Sequence, residues 1–393
     1  MSHMSKRILK TGIPVIFFII LILFLAKWSQ LEKVPLISDQ SQEFEKAVVT
    51  QIITDNLQED GSRMGNQEVK LRFLTGKRKG EETEAVSTNG NLYGAICQVG
   101  TKVITLTNQS GDTTITSVYS LNRGPLVIAF VVLFFLLLYA VGGKNGLKAI
   151  LGLIVAFCLI LFFLFPAVYR GMRPTFASII TVALTTVITL FILSGYHVKT
   201  LSAILGTISG VIISGISAWV FGKVAHISGY NVSNIDSLIS VSNVTNIQVG
   251  DLLFAGILIS SLGAVMDVGL SIASTIQEIH EANLALSVRE LFRRGMNVGK
   301  DMMGTMSNTL ILAFAGGSLS ELMLNYAYDI PYLQLINSYN IGIEIMQGIS
   351  GSIGIILTVP LVSLFSSILT KQKNPAVSPV CSEDETLSIP TEN

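Results

Sequence analysis

Seven apolar runs, at about residues 125–142, 147–169, 175–195, 200–222, 250–275, 302–324 and 342–369, follow one another with only short polar breaks. A helix rises about 1.5 Å per residue, so roughly 20 apolar residues cross a ~30 Å hydrocarbon core. Lipid offers no hydrogen bonds to a bare backbone, so runs of this length are predicted to span as helices. An eighth run, Ile13–Ala26, follows Lys6, Arg7 and Lys10; it is short, but flanking residues can snorkel to the interface. Its end, Phe24-Leu25-Ala26, lacks a small-x-small cleavage pattern, which favours an uncleaved signal anchor over residues 13–29 rather than a signal peptide. The opening Met1-Ser-His-Met4 reads as a cloning remnant or an alternative start and is set aside, within a cytoplasmic N-terminus over 1–12.

Composition agrees with this picture. Of 393 residues 50% are hydrophobic and 13% charged, against roughly 25% charged in a typical soluble chain. Lys+Arg and Asp+Glu both total 26, so neither a strongly basic nucleic-acid binder nor an acidic disordered chain is expected. Orientation follows from where the basic residues fall. With the N-terminus inside, Lys6, Arg7, Lys10, Lys144, Lys148, Lys199, Arg289, Arg293, Arg294, Lys300, Lys371 and Lys373 are cytoplasmic, while the short external loops hold only Arg170, Arg173 and Lys223. This positive-inside asymmetry sends the region after the first helix outside and leaves both termini in the cytoplasm. Residues 371–393 read as a disordered tail.

Residues 30–123 are polar and alternate with period two in Lys46–Thr54, Glu68–Thr75, Lys102–Thr107 and Thr113–Tyr119, which predicts strands. Turns at Gly76–Gly80, Thr88–Gly90 and Asn108–Gly111 suit a compact antiparallel β unit such as a small barrel. The predicted fold class is therefore a polytopic α-helical membrane protein of about eight transmembrane helices. An extracytoplasmic all-β domain is inserted after the first helix, ahead of a seven-helix domain at 124–370.

A charge at membrane depth is costly and marks a functional candidate. Asp267, in Leu262-Gly-Ala-Val-Met-Asp-Val-Gly269, stands about seven residues before its run ends, and Asn308, in Gly304-Thr-Met-Ser-Asn-Thr309, about six residues into the next. Antiparallel neighbours would place them at similar depth. Thr305, Asn308 and Thr309 share one helical face by their i, i+3, i+4 spacing, and with Asp267 they form a candidate cation- or proton-binding group. The plainer alternative is an Asp267–Asn308 hydrogen bond holding two helices together. Asp301 and Glu344 are further pathway candidates; Asp251 and Glu321, near helix ends, read as wetted interface residues. Gly206-Thr-Ile-Ser-Gly210 and Gly348, Gly351 and Gly354 read as close helix packing. The segment Gln277–Arg294 reads as a cytoplasmic surface helix, either a loop anchor or a docking surface for a cytoplasmic partner.

Enzyme readings fail on their motifs. Gly295-Met-Asn-Val-Gly-Lys-Asp301 is one residue short of a phosphate loop and has Asp where a hydroxyl is needed. Gly348-Ile-Ser-Gly351 matches an intramembrane serine protease motif, but His3, His197, His226 and His280 all lie away from mid-span, and Asp267 has no second aspartate. Cys97, Cys158 and Cys381 fall in three different regions, which argues against a disulfide framework or a cysteine zinc site. No cofactor is expected, and no metal is assigned.

The segments Gly263–Ser274, Gly295–Ala313 and Gly351–Pro360 resemble the YibE/F-like family of bacterial multispanning membrane proteins over roughly residues 125–370. The resemblance implies a plasma-membrane protein of a family described as predicted permeases. The expectation is a transporter of a small solute or ion with Asp267 at its binding site, its partners being the bilayer, the solute and a homo-oligomer or cytoplasmic subunit. The alternatives are a permease subunit that needs a separate ATPase, and a scaffold or envelope sensor whose β domain binds a ligand or partner.

Overall fold

The computed structural model describes residues 23–31, 42–88, 94–110, 113–232 and 234–373. The N-terminus at 1–12, most of the signal anchor, the Asn89–Gly90 turn and the tail from 374 with Cys381 lie outside the described residues. The chain divides into two compact units, Lys33–Gly143 and the remainder.

The first unit holds five strands: β1 (Gln42–Thr54), β2 (Gln67–Phe73), β3 (Glu82–Ser87), β4 (Lys102–Ser110) and β5 (Thr113–Leu121). They close into a barrel in the order β1-β2-β3-β5-β4, that of a small OB-type barrel. Alternation sends Ala47, Val49, Val69, Leu71, Phe73, Val103 and Val118 into one buried core, where each large side chain contributes about 1.5–3 kcal/mol. Register shifts after Val49 and Ile52 bend β1 so that it can pair with both β2 and β4. The unit is not wholly antiparallel as expected, because β3 pairs with β5 in parallel through Val86–Ser117 and Ser87–Val118. The sequence reading also passed over β3, whose Glu82-Thr-Glu-Ala-Val-Ser87 is mostly charged or small and buries only Ala85 and Ser87.

From Gly124 the chain is helical. The helical stretch Gly124–Tyr169 is interrupted at Gly143, so the runs expected at 125–142 and 147–169 fall on either side of a break. The stretch comprises α1 (Gly124–Leu159), a π turn at Ile160–Leu164, and α2 (Phe165–Tyr169). Gly143, at φ 52° and ψ −128°, breaks α1, a conformation open to glycine and strained for other residues. The π turn precedes Pro166, which has no amide hydrogen to give the preceding turn.

The second unit continues with α3 (Pro174–Ser194), α4 (Val198–Val224), α5 (Ile235–Val244), α6 (Leu252–Ala282), α7 (Val288–Gly317), α8 (Leu319–Ala327), α9 (Tyr332–Ile336) and α10 (Tyr339–Lys373). Among the described residues five helices are long and apolar enough to cross a membrane, or six if α7 and α8, bent by 61°, count as one broken span. The outward side chains of α1 are apolar, with Leu126, Phe130 and Val141 largely exposed, as lipid-facing helices require. The protein is a multi-pass membrane protein with a separate N-terminal β region.

The helix core joins α4, α6, α7 and α10, with α3 against α4 and α6. Lipid tails are as apolar as Leu, so close backbone approach supplies much of the attraction. A Cβ on Gly206 would overlap Val362, one on Gly210 would overlap Thr358 Oγ1, and one on Gly354 would stand 2.9 Å from Gly210 O. The segment expected as one surface helix, Gln277–Arg294, instead supplies the end of α6 and the start of α7. Ser287 caps α7: its Oγ accepts from Glu290 N at 3.3 Å, while its own N–H donates to Glu290 Oε2 at 2.8 Å, closing a capping box.

Candidate functional site

Asp267 is the central residue of α6, with fifteen residues of helix on either side. The helix runs on to Ala282, so Asp267 is farther from its end than a run ending near residue 275 implies. Leu258, Leu262, Val265, Gly269, Ile272 and Ile276 form the buried stripe of α6, and Gly256, Ser260, Gly263 and Asp267 form the exposed stripe opposite. On α7 the core side carries Leu291, Gly295, Gly299, Met302, Met306 and Leu310. Asp301, Gly304, Thr305, Asn308 and Thr309 all face outward.

The mutual register of the two helices can be read from their glycines. A Cβ on Gly295 would meet Ile276, and one on Gly299 would meet Ile272. Continued along both helices, this antiparallel pairing sets Asp267 level with Gly304 and Gly263 level with Asn308. Asp267 and Asn308 are therefore about one helical turn apart in depth, ~6 Å at 1.5 Å per residue. Gly263 and Gly304 each have open space where a Cβ would stand.

Among the described residues no hydrogen bond or ion pair joins Asp267 to Asn308 or to any other side chain. Thr305 Oγ1 donates to Met302 O at 3.0 Å, and Thr309 Oγ1 donates to Thr305 O at 2.9 Å. Each hydroxyl thus spends its hydrogen on its own helix and keeps its oxygen lone pairs free to accept or coordinate.

Glu344 lies six residues into α10, beside the α7–α8 break. It lines a cleft of about 330 Å³ together with Gly317, Ser318, Glu321 and Asn340. Asn340 Nδ2 donates to Glu321 Oε1 at 2.9 Å and orients that carboxylate. Glu321, taken from the sequence for a wetted interface residue, therefore shares a cleft with Glu344. The signal that could have found it is Gly316-Gly-Ser318, a helix-breaking triplet three residues before Glu321 inside an otherwise apolar run.

His280 also differs from its sequence reading. It is fully buried, continues the Ile272, Ile276 stripe of α6, and has no hydrogen-bond partner at either ring nitrogen among the described residues. The helical spacing of 272, 276 and 280 was legible, but the residue had been assigned to a separate surface helix.

The family model for YibE/F-like protein matches residues 130–372. The chain belongs to the YibE/F-like family. No curated protein and no solved structure matches it. The matched YibE/F-like region takes in α6, α7 and α10 entire but for the last residue of α10, so Asp267, Asn308, Glu321 and Glu344 all belong to the family region, whereas the β-barrel precedes it.

Proposed function

We propose that this protein is a transporter that moves a small solute or ion across the bacterial plasma membrane, with Asp267 as its cation- or proton-binding residue. The observation that carries the reading is a carboxylate without a partner among the described residues, at the centre of a helix long enough to span the bilayer and on the face opposite that helix's core stripe. An Asp at the centre of a membrane helix costs about 2.5–3.5 kcal/mol on insertion scales. Such a group is kept where it meets water or protein along a pathway. Thr305, Asn308 and Thr309 add hydroxyl and amide oxygens on the neighbouring α7. Alternating access follows if occupancy of Asp267 stabilises one arrangement of α6 and α7 over another. In this reading the β-barrel is extracytoplasmic and both termini are cytoplasmic.

The test is ion- and pH-dependent flux in proteoliposomes, comparing the unaltered chain with Asp267→Asn over a panel of cations and imposed proton gradients. Flux abolished in a variant that folds and reconstitutes normally supports the assignment. Undiminished flux in Asp267→Asn would remove this residue from the pathway.

A second reading, a scaffold or envelope sensor, is favoured by one feature of the barrel. Phe44 on β1 and Tyr119 on β5 stack edge to face at 5.2 Å while remaining exposed. An aromatic pair on an outer barrel wall is a contact surface for a ligand or partner. Loss of a bound envelope component on Phe44→Ala, with flux absent from the unaltered chain, would decide for it.

A further inference from the structure

The cleft at the α7–α8 break does not stand alone. A second cleft of about 310 Å³ adjoins it, walled by Ile311, Phe314, Leu322, Ile345 and Ile349. The two share Ser318, Ile341 and Glu344 as a common wall. The lining of the first mixes polar and apolar groups, with Val232 and Ile343 beside two carboxylates, Glu321 and Glu344; that of the second is almost wholly apolar. No Lys, Arg or His lines either cleft among the described residues.

The two carboxylates are not equivalent. One Glu321 oxygen is engaged by the Asn340 amide at 2.9 Å. Glu344 has no hydrogen-bond or ion-pair partner among the described residues, although it is partly buried. A carboxylate withdrawn from bulk water and left without a counter-charge attracts a cation more strongly than a solvated one does. Its position where the carboxylate-bearing cleft meets the apolar one adds a shape requirement. A bare metal ion would use the carboxylates and leave the apolar cleft unfilled. A neutral apolar molecule would fill the second cleft and leave the carboxylates unpaired.

We propose that the paired clefts bind an amphipathic organic cation, its charged head held at Glu344 with Glu321 beside it and its apolar body against Phe314, Ile345 and Ile349. Each cleft is of the size that ligand pockets commonly have, and a few polar groups placed against an apolar wall are their usual lining. The 61° bend between α7 and α8 falls at Ser318, which lines both clefts. The site is separate from the Asp267 group, and its occupancy is an equilibrium property whatever the chain transports.

The experiment is saturable binding of radiolabelled tetraphenylphosphonium to the full chain in lipid nanodiscs, with empty nanodiscs subtracted. Tetraphenylborate, the same shape with the opposite charge, and tetramethylammonium, the same charge without the apolar body, are the comparison probes. The expected result is saturable tetraphenylphosphonium binding, with tetramethylammonium weaker and no specific tetraphenylborate binding. Glu344→Gln should weaken binding about tenfold or more, the scale expected when one member of a shielded charge pair is removed. Ala315→Leu, which adds bulk to the apolar cleft from an exposed position and keeps both carboxylates, should weaken it as well and guards against misfolding of the Glu344 variant. Asp267→Asn should bind normally, so failure of the transport reading leaves this result intact. Equal binding of the two tetraphenyl ions, or affinity unchanged by both Glu344→Gln and Ala315→Leu, would overturn the proposal. So would Glu344-dependent binding of Mg²⁺ without binding of tetraphenylphosphonium, which would make the cleft a metal site.

Discussion

Gly76 lies directly against the Glu45 carboxylate in the barrel wall, and a Cβ built on Gly76 would overlap Glu45 Oε1. The glycine also holds φ at +83°. Gly76→Ala therefore combines left-handed backbone strain with overpacking, together about 2–4 kcal/mol. Gly80 has φ +93° but open space around its Cβ position, so Gly80→Ala should lose only the backbone part, about 1–2 kcal/mol. Pulse proteolysis of the intact chain should rank the two in that order; equal losses would remove Glu45 from the explanation.

Glu45 is only 4% exposed, and its Oε2 accepts from Arg78 at 2.8 Å. The Arg78 guanidinium also lies 4.2 Å from the Phe73 ring centroid and donates to Thr107 Oγ1. Arg78→Ala strands the buried carboxylate, and the expected loss is about 3 kcal/mol, the low end for breaking a buried pair. Arg78→Lys should recover part of it, because a lysine restores charge without the paired N–H geometry. Thermal unfolding of the barrel by circular dichroism measures both.

Acid sensitivity of the barrel should trace to Asp55. The Gln67 amide, then the Arg63 guanidinium, hold its carboxyl below the ordinary carboxylate value, at 2.8 Å and 2.6 Å. A lowered carboxylate stabilises the fold fully above its unfolded value of about 3.9 and loses that contribution as the pH falls through the folded value. The barrel should therefore weaken below about pH 4. Gln67 also brackets the Cys97 backbone, accepting from its N–H at 2.7 Å and donating to its carbonyl at 3.2 Å. Asp55→Asn should flatten the stability–pH curve in this range; an unchanged slope would assign the acid sensitivity elsewhere.

The glycines of the bundle should separate into two kinds. Gly210→Ala drives a methyl into Thr358 between α4 and α10, an overpacking expected to lose about 1–3 kcal/mol. Gly263→Ala enters open space and should leave thermal stability in detergent unchanged. If its side of α6 lines the transport path, flux through Gly263→Ala should still fall, and a variant stable but impaired is the expected result.

Much of this was legible in the residues. Strand alternation located β1, β2, β4 and β5 within a few residues, because a barrel with one buried face imposes period two on every strand. It missed β3, where glutamates and small residues blur that period, and it could not show the parallel β3–β5 pairing, which has no local signature. Asp267 and Asn308 stood out because a polar group in an apolar run is visible without coordinates. Their relative depth did not, since it depends on how Gly295 and Gly299 seat against Ile276 and Ile272. Glu321 and Glu344 are 23 positions apart, and they meet in one cleft beside the bend at Ser318.

By itself the sequence determined the membrane class, the β region ahead of the helices, most of the apolar helices and the family, because hydrophobic period, run length and motif are properties of neighbouring residues. The tertiary structure alone decided that Gly143 takes a non-helical conformation between the first two runs of the helical unit, that His280 is buried, and which way Asp267 faces. It also decided that a cleft with two carboxylates opens beside α10. Each of these depends on which helix packs against which, and at what register, and a pattern of period 3.6 is compatible with many such packings.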